Sequence, residues 1–191
     1  MKSADIKKIR KKMEKTLDDA RFEHTLGVAY TAACLAMRYD IDITKAQVAG
    51  LLHDCAKCLT NEKRISICKK HNIQMNEAEL KNPQLLHAKV GSFLAMEEFD
   101  IHDQDIINAI LNHTTGRPDM SPLEKIIYIA DYIEPGRKQA PNLTPIRKVA
   151  FEDLNKALLM ILEDTLSYLE STGSVVDAMT QKTYDFYSQC S

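Results

Sequence analysis

The chain contains 191 residues, of which 45% are hydrophobic, and its formal net charge is -2. This length suits one domain with a sizeable core, so we predict a single domain over residues 1–191. The nearly balanced charge argues against nonspecific nucleic-acid binding as the main role, and the sequence lacks the apolar run of about 18 residues that spans a membrane. Five cysteines, an odd number, and an N-terminus without the apolar stretch of a signal peptide predict a cytoplasmic protein.

Apolar residues recur at helical spacing, whereas sustained alternation and hairpin turns are absent, so we predict an all-α bundle of roughly eight to ten helices. The first helix is predicted to be amphipathic, because apolar residues recur three or four positions apart at Ile6, Ile9, Met13, Leu17 and Ala20. This stripe is expected to face the core. The alternative is that it forms the contact of a homodimer.

Capping residues predict where the later helices begin and end. In chain order, the predicted helices run from Asn82-Pro83 to about Phe99, from Asp103 to His113 with a stop at Gly116, from the capping box Ser121–Glu124 to about Ile133, from Thr144-Pro145 to near Gly173, and over residues 177–188. The polar loop over 136–141 is too short to separate domains.

Six side chains of the types that bind metals are embedded in apolar helical segments: His24, His53, Asp54, His87, His113 and Asp131. An ionised Asp is rarely buried without a partner, because its desolvation costs several kcal/mol. We therefore predict that the six residues satisfy one another through a cation. Imidazole and carboxylate together suit iron, manganese, zinc or cobalt.

Each ligand-type residue also has a simpler interpretation. A single His on an apolar face is usually a hydrogen-bonded core residue, and a single buried Asp is usually an acceptor that links two helices. The adjacent pair His53-Asp54 is a stronger signal, because neighbours on a helix can both lean into one cleft. His71 and His102 lie in polar surface segments and are expected to be solvated. The motif Cys55-x-x-Cys58 has no second copy, which argues against a zinc or redox site.

Four sequence motifs indicate a particular protein family: Arg21–Val28, Leu51–Lys57, His113–Gly116 and Ile129–Arg137. Together they resemble the YqeK family of the HD superfamily of metal-dependent phosphohydrolases, over about residues 5–188. The resemblance implies an all-α HD fold and the hydrolysis of diadenosine tetraphosphate into two ADP by metal-activated water. It implies iron as the metal, ahead of manganese, cobalt or zinc, and leaves one or two metal ions open.

The same resemblance implies roles for individual residues. The core metal ligands would be His24, His53, Asp54 and Asp131. A second metal or a phosphate would contact His87 and His113. Asp54 and Lys57 would be catalytic. Substrate-binding positions would be His24, Asp54, Lys57, His87, His113, Thr114, Asp131 and Arg137. Independently of the resemblance, the turn at Ser174 and Val175 could line a base pocket, although a plain helix connector is the simpler interpretation. Glu23 could orient a ligand histidine, although it is more simply a solvated helix residue.

Two alternatives from different classes remain at this point. The first is an HD-type nucleotidase that acts on other nucleotides or deoxynucleotides. The second is a nucleotide-sensing module with a silent site, against which the presence of all six ligand-type residues argues. The expected partner is a small-molecule nucleotide, with ADP as the product, and neither nucleic acid nor a membrane is expected to bind.

Overall fold

The computed structural model describes residues 3–189, which hold eleven α-helices and one short 3-10 helix and no β-strand. The helices are α1 (Ser3–Thr16), α2 (Asp19–Arg38), α3 (Ile43–Leu52), α4 (Asn61–Lys70), α5 (Glu77–Lys81), the 3-10 helix (Pro83–Leu86), α6 (His87–Phe99), α7 (Gln104–Asn112), α8 (Pro122–Ile133), α9 (Leu143–Val149), α10 (Leu154–Ser171) and α11 (Ala178–Gln189). The predicted all-α fold class is confirmed. Among these helices, none combines the length and the apolar content needed to cross a membrane.

The first helix is shorter than its apolar stripe predicts. Asp18 accepts a hydrogen bond from the backbone N–H of Arg21 and so caps a new helix, α2. Met13 and Leu17 are buried in the main core as expected, but Ala20 lies beyond the break and is exposed. Since the stripe is covered by the protein's own core, it does not provide a dimer contact, and the homodimer stays a prediction without a surface assigned to it.

The capping predictions were confirmed at α7 and α8 and were wrong in two other places. Pro83 opens the 3-10 helix instead of an α-helix, and the Asn82 side chain makes no capping bond. The long helix expected from Thr144 is divided into α9 and α10. The reason is Asp153, whose carboxylate accepts from the backbone N–H groups of Asn155 and Lys156 and starts α10.

A close crossing of α2 and α3 brings His24 and His53 together. A Cβ on Gly50 of α3 would lie 2.7 Å from the Cα of Ala29 in α2, so only glycine allows the two backbones to approach this closely. His24 precedes this crossing on α2, and His53 ends α3 just after it. The crossing brings the centres of their rings to 5.5 Å. The packing of α2 on α3 thus joins residues that are 29 positions apart.

Candidate metal centre

The six ligand-type residues predicted from the sequence meet in one place. They come from five separate segments: α2 (His24), the end of α3 (His53, Asp54), the start of α6 (His87), the end of α7 (His113) and α8 (Asp131). The side chains of His53, Asp54, His87 and His113 are buried, while those of His24 and Asp131 are 11% and 25% exposed. The cluster therefore has a buried side and a side open to solvent.

The cluster consists of two overlapping groups that share His53. On the open side, His24 Nε2 lies 3.0 Å and His53 Nε2 lies 3.9 Å from Asp131 Oδ1. On the buried side, Asp54 Oδ1 lies 3.2 Å from His87 Nε2 and 3.7 Å from His113 Nε2. The ligand atoms of His24, His53 and Asp131 lie within 4.8 Å of one another, as do those of His53, Asp54 and His113. Each group has the spread of donors that can hold one cation.

All four histidines turn the same ring nitrogen into the cluster. Their Nδ1 atoms bond to groups that can only accept, which are Gly50 O, Gln84 O, Ile110 O and the Glu134 carboxylate, for His53, His87, His113 and His24 respectively. Since a carbonyl or carboxylate oxygen cannot donate, Nδ1 carries the proton. When such a ring is neutral, its Nε2 lone pair points at the cluster, which is the usual arrangement of a metal-binding histidine.

Three of the inward-facing atoms are buried and have no hydrogen-bond partner: His24 Nε2, His53 Nε2 and Asp54 Oδ1. With the rings in this tautomer, each of these atoms is an acceptor that faces other acceptors. A buried acceptor without a partner costs about 1–3 kcal/mol, so such atoms call for an explanation. A divalent cation in either group would satisfy the acceptors of that group, and the nitrogen and oxygen donors fit a first-row transition metal.

Protonation equilibria in the cluster also suit a cation. Burial lowers the pKa of His87 to about 4, so this ring is neutral at pH 7. Burial opposes ionisation of Asp131, but its contact with His24 and the nearby His53 outweigh burial and lower the pKa. Burial likewise disfavours a charge on His24, yet its contacts with Asp131 and Glu134 raise the pKa. A proton shared between His24 and Asp131 thus satisfies the same two atoms that a metal ion would.

Three cationic side chains flank the cluster. Arg21 Nη1 donates to Asp54 Oδ2 at 2.8 Å, and Arg137 Nη2 donates to Asp131 Oδ1 at 2.9 Å. Lys57 Nζ lies 3.3 Å from His87 Nε2. Lys57 and Arg137 were predicted to face phosphate, whereas Arg21 was not. Its signal was its position one helical turn before His24, which places both side chains on the same face of α2.

The residue that orients His24 is Glu134 and not Glu23, which lies exposed on α2. Glu134 is buried, and its two oxygens accept from His24 Nδ1 and from the backbone N–H of Gly136. A Cβ on Gly27 would lie only 2.5 Å from Glu134 Oε2, so the glycine leaves the space that this carboxylate fills. The position of Glu134 one turn after Asp131 places it near the cluster, but its pairing with His24 across 110 positions follows only from the packing of the helices.

A cavity of about 980 Å³ adjoins the cluster. Its walls include four residues predicted to bind substrate: Thr114, Arg137, Ser174 and Val175. Thr114 Oγ1 lies 3.4 Å from His113 Nε2, and Arg137 contacts Asp131, so the cavity reaches the ligand residues at these two points. Tyr168, which the sequence did not single out, lines the same cavity and is 64% exposed. The cavity can therefore accept a ligand with both an apolar and an anionic part.

The remaining histidines and the Cys-x-x-Cys pair lie outside the cluster. His71 is exposed and packs on Phe93, with ring centres 4.4 Å apart, and His102 is exposed and pairs with Asp100. Cys55 is buried. The exposed thiol of Cys58 donates to Asp18.

The sequence pattern of the HD domain matches residues 21–136, a range that contains all six cluster residues. The chain belongs to the HD family. Bis(5'-nucleosyl)-tetraphosphatase, symmetrical, of Bacillus subtilis (strain 168) is 39% identical over 174 residues, which cover 91% of this chain and 92% of that protein. The protein of the same name from Halalkalibacterium halodurans is 41% identical over 170 residues, covering 88% and 89% of the two chains.

One solved structure matches this HD protein over its whole length. It is the crystal structure of a predicted HD superfamily hydrolase involved in NAD metabolism from Clostridium acetobutylicum, with 44% sequence identity, a TM-score of 0.94 and 100% of both chains covered. The resemblance to the YqeK family of the HD superfamily, and with it the HD fold, is therefore confirmed.

Proposed function

We propose that the protein is a metal-dependent hydrolase that splits diadenosine tetraphosphate symmetrically into two ADP. The observation that carries this proposal is the cluster of buried, unpartnered Nε2 and carboxylate atoms beside a cavity large enough for a nucleotide. The names of the two bacterial relatives, which are alike over about nine-tenths of the chain, support this particular substrate.

The core ligands of the metal would be His24, His53, Asp54 and Asp131, while His87 and His113 would hold a second metal or contact phosphate. The HD family and the donor set support a divalent metal. We propose iron as its identity, on the resemblance to the YqeK family. When bound, such a metal neutralises phosphate charge and lowers the pKa of a water ligand toward neutrality, which supplies the nucleophile.

Asp54 and Lys57 are the residues that we propose as catalytic. Asp54 lies at the centre of the buried group, because Oδ1 faces His87 and His113 while Oδ2 accepts from Arg21. It is thus placed to fix the direction of the attacking water. Lys57 Nζ, beside His87, can donate to a phosphoryl oxygen that gains charge as the central bond breaks.

The large cavity is proposed to bind one nucleoside diphosphate half. Tyr168 and Val175 offer exposed apolar surface for the base, at 64% and 51% exposure. Thr114 and Ser174 provide hydroxyl groups, and Arg137 can exchange its bond with Asp131 for a bidentate contact with phosphate. With these contacts, the phosphates would extend toward the metal ligands.

The two alternatives differ in what the cavity should hold. Ligand pockets commonly measure about 300–1,000 Å³. At about 980 Å³ the cavity accommodates one nucleoside diphosphate, and the names of the two bacterial relatives favour the dinucleotide over a mononucleotide as the substrate. A sensing module would not require the complete ligand cluster.

Product analysis tests the proposal. The purified protein, loaded with Fe²⁺ or Mn²⁺, is incubated with diadenosine tetraphosphate and with a panel of mononucleotides and deoxynucleotides, and the products are separated by chromatography. ADP as the sole product of the dinucleotide is the expected result. Formation of AMP and ATP would contradict symmetric cleavage, and inertness toward the dinucleotide with turnover of a mononucleotide would favour the nucleotidase.

We also propose that residues 1–191 form one domain in the cytoplasm. The main core contains residues from both ends of the described chain, among them Ile9 of α1 and Tyr187 of α11, which supports the single domain. The cytoplasmic location rests on the cysteine content of the sequence and stays a prediction.

A further inference from the structure

A second, smaller cleft of about 410 Å³ lies beside the ligand cluster, and His24 is one of the residues that line it. Two loop residues, Arg137 and Gln139, line both spaces, so the loop after α8 separates them. His24 lines the small cleft, whereas Thr114, the neighbour of His113, lines the large cavity. The cluster that contains His24 and His113 therefore borders both spaces.

The two spaces differ in chemistry as well as in volume. The large cavity includes Tyr168, Leu169 and Val175 in its wall. The small cleft has no aromatic or large aliphatic residue among the described residues that line it. What it offers is positive charge, from Arg21 and Arg137, which are paired with Asp54 and Asp131, and from Lys138.

The acidic residues of the small cleft are already engaged. Asp18 caps α2 through the backbone N–H of Arg21 and accepts from Cys58. Glu134 is bonded to His24 and to the N–H of Gly136. By contrast, Lys138 is exposed and makes no hydrogen bond or ion pair with any other residue between positions 3 and 189, unlike Arg21 and Arg137. The net character of the accessible surface is thus cationic.

We propose that the small cleft binds the diphosphate of the second half of a dinucleoside tetraphosphate, while the large cavity binds the first half with its base. This inference rests on the proposed function. Cleavage at the central bond places that bond at the metal ligands, so two equal halves must extend from the cluster in different directions. The cleft recognises the second half by phosphate charge, and its nucleoside is not enclosed.

Lys138→Glu tests the small cleft without touching the metal ligands. The probes are ADP and an analogue of diadenosine tetraphosphate in which a methylene group replaces the central bridging oxygen, and calorimetry measures both dissociation constants on the metal-loaded protein. We expect the variant to raise the dissociation constant of the analogue by about fivefold, the upper range for one exposed charge pair. ADP, which occupies the large cavity first, should bind as in the wild type.

Two further variants control this experiment. Lys138→Arg keeps the charge and should bind the analogue like the wild type. Lys8→Glu makes the same charge change on the exposed face of α1, outside both spaces, and should leave both dissociation constants unchanged. An unchanged affinity for the analogue in Lys138→Glu, or an equal loss for analogue and ADP, would overturn the assignment of the cleft. A wild-type protein that does not bind the analogue at all would instead contradict the proposed function.

Discussion

Replacing Gly27 by Ala should weaken metal binding while leaving the fold intact. Gly27 lies inside α2, where Ala is favoured over Gly by about 1 kcal/mol. The new methyl group, however, would sit 2.5 Å from Glu134 Oε2 and 3.2 Å from its Cδ. The Glu134 carboxylate is the end of a flexible side chain, so it can move aside, but moving breaks its bonds to His24 and Gly136.

The size of this effect follows from what Glu134 does for His24. Loss of a group that orients a metal-binding histidine typically lowers metal affinity by about 10- to 100-fold, or roughly 1.4–2.7 kcal/mol. The gain in helix propensity offsets the cost of the displaced carboxylate in the free energy of unfolding. We therefore expect a protein with nearly wild-type stability, a 10- to 100-fold weaker metal site and a proportionate loss of turnover at limiting metal.

Metal titration and thermal unfolding measure the two effects separately. Gly91→Ala is the matched control, since its Cβ would meet only ordinary contacts at 3.5 Å and longer. In the double variant with Glu134→Ala, Gly27→Ala should add no further loss of metal affinity, because its partner is gone. A Gly27→Ala protein with wild-type metal affinity, or additive losses in the double variant, would refute this reasoning.

Three other predictions concern the cluster, the cavity and the pH dependence of stability. Asp54→Ala should abolish both metal content, measured by mass spectrometry, and turnover; full activity would refute the site assignment. Tyr168→Ala should raise the dissociation constant of ADP about fivefold or more through lost base stacking. Tyr30→Ala, which changes another exposed tyrosine outside both spaces, should not. Burial alone would raise the pKa of Glu124, but the bidentate bond with Arg117 outweighs burial and lowers this pKa. The ion pair therefore stabilises the fold above the unfolded pKa near 4.5, and this stabilisation is lost as the pH falls through the folded pKa. Glu124→Gln should therefore lower the free energy of unfolding by about 1–3 kcal/mol near pH 7 and by progressively less in acid. Denaturant unfolding at several pH values measures this difference. A difference that does not change with pH would contradict the charge-based account.

The sequence alone determined the fold class, the donor types and the bounds of α7, α8 and α11 to within about one residue. Caps such as Ser121 with Glu124 are local, because each side chain bonds to a backbone group only three residues away. Such caps can therefore be predicted from the sequence without knowledge of the fold. The ligand residues could be predicted because ionisable side chains in apolar segments need partners when they are buried. The one long helix expected from Thr144 failed because Asp153, whose side chain can cap a helix or face solvent, took the capping role.

Only the tertiary structure decided which residues serve the cluster from a distance. Glu134 orients His24 across 110 positions of sequence, and Gly27 leaves the space for it, whereas sequence proximity suggested Glu23. The small cleft behind His24 and its cation Lys138 could not be predicted either, because a surface lysine has the same sequence signal in a cleft as on an open face. Short segments of sequence determine local hydrogen bonds. A cavity is the space between segments, so this cleft exists only after α2, α8 and the loop after α8 have packed together.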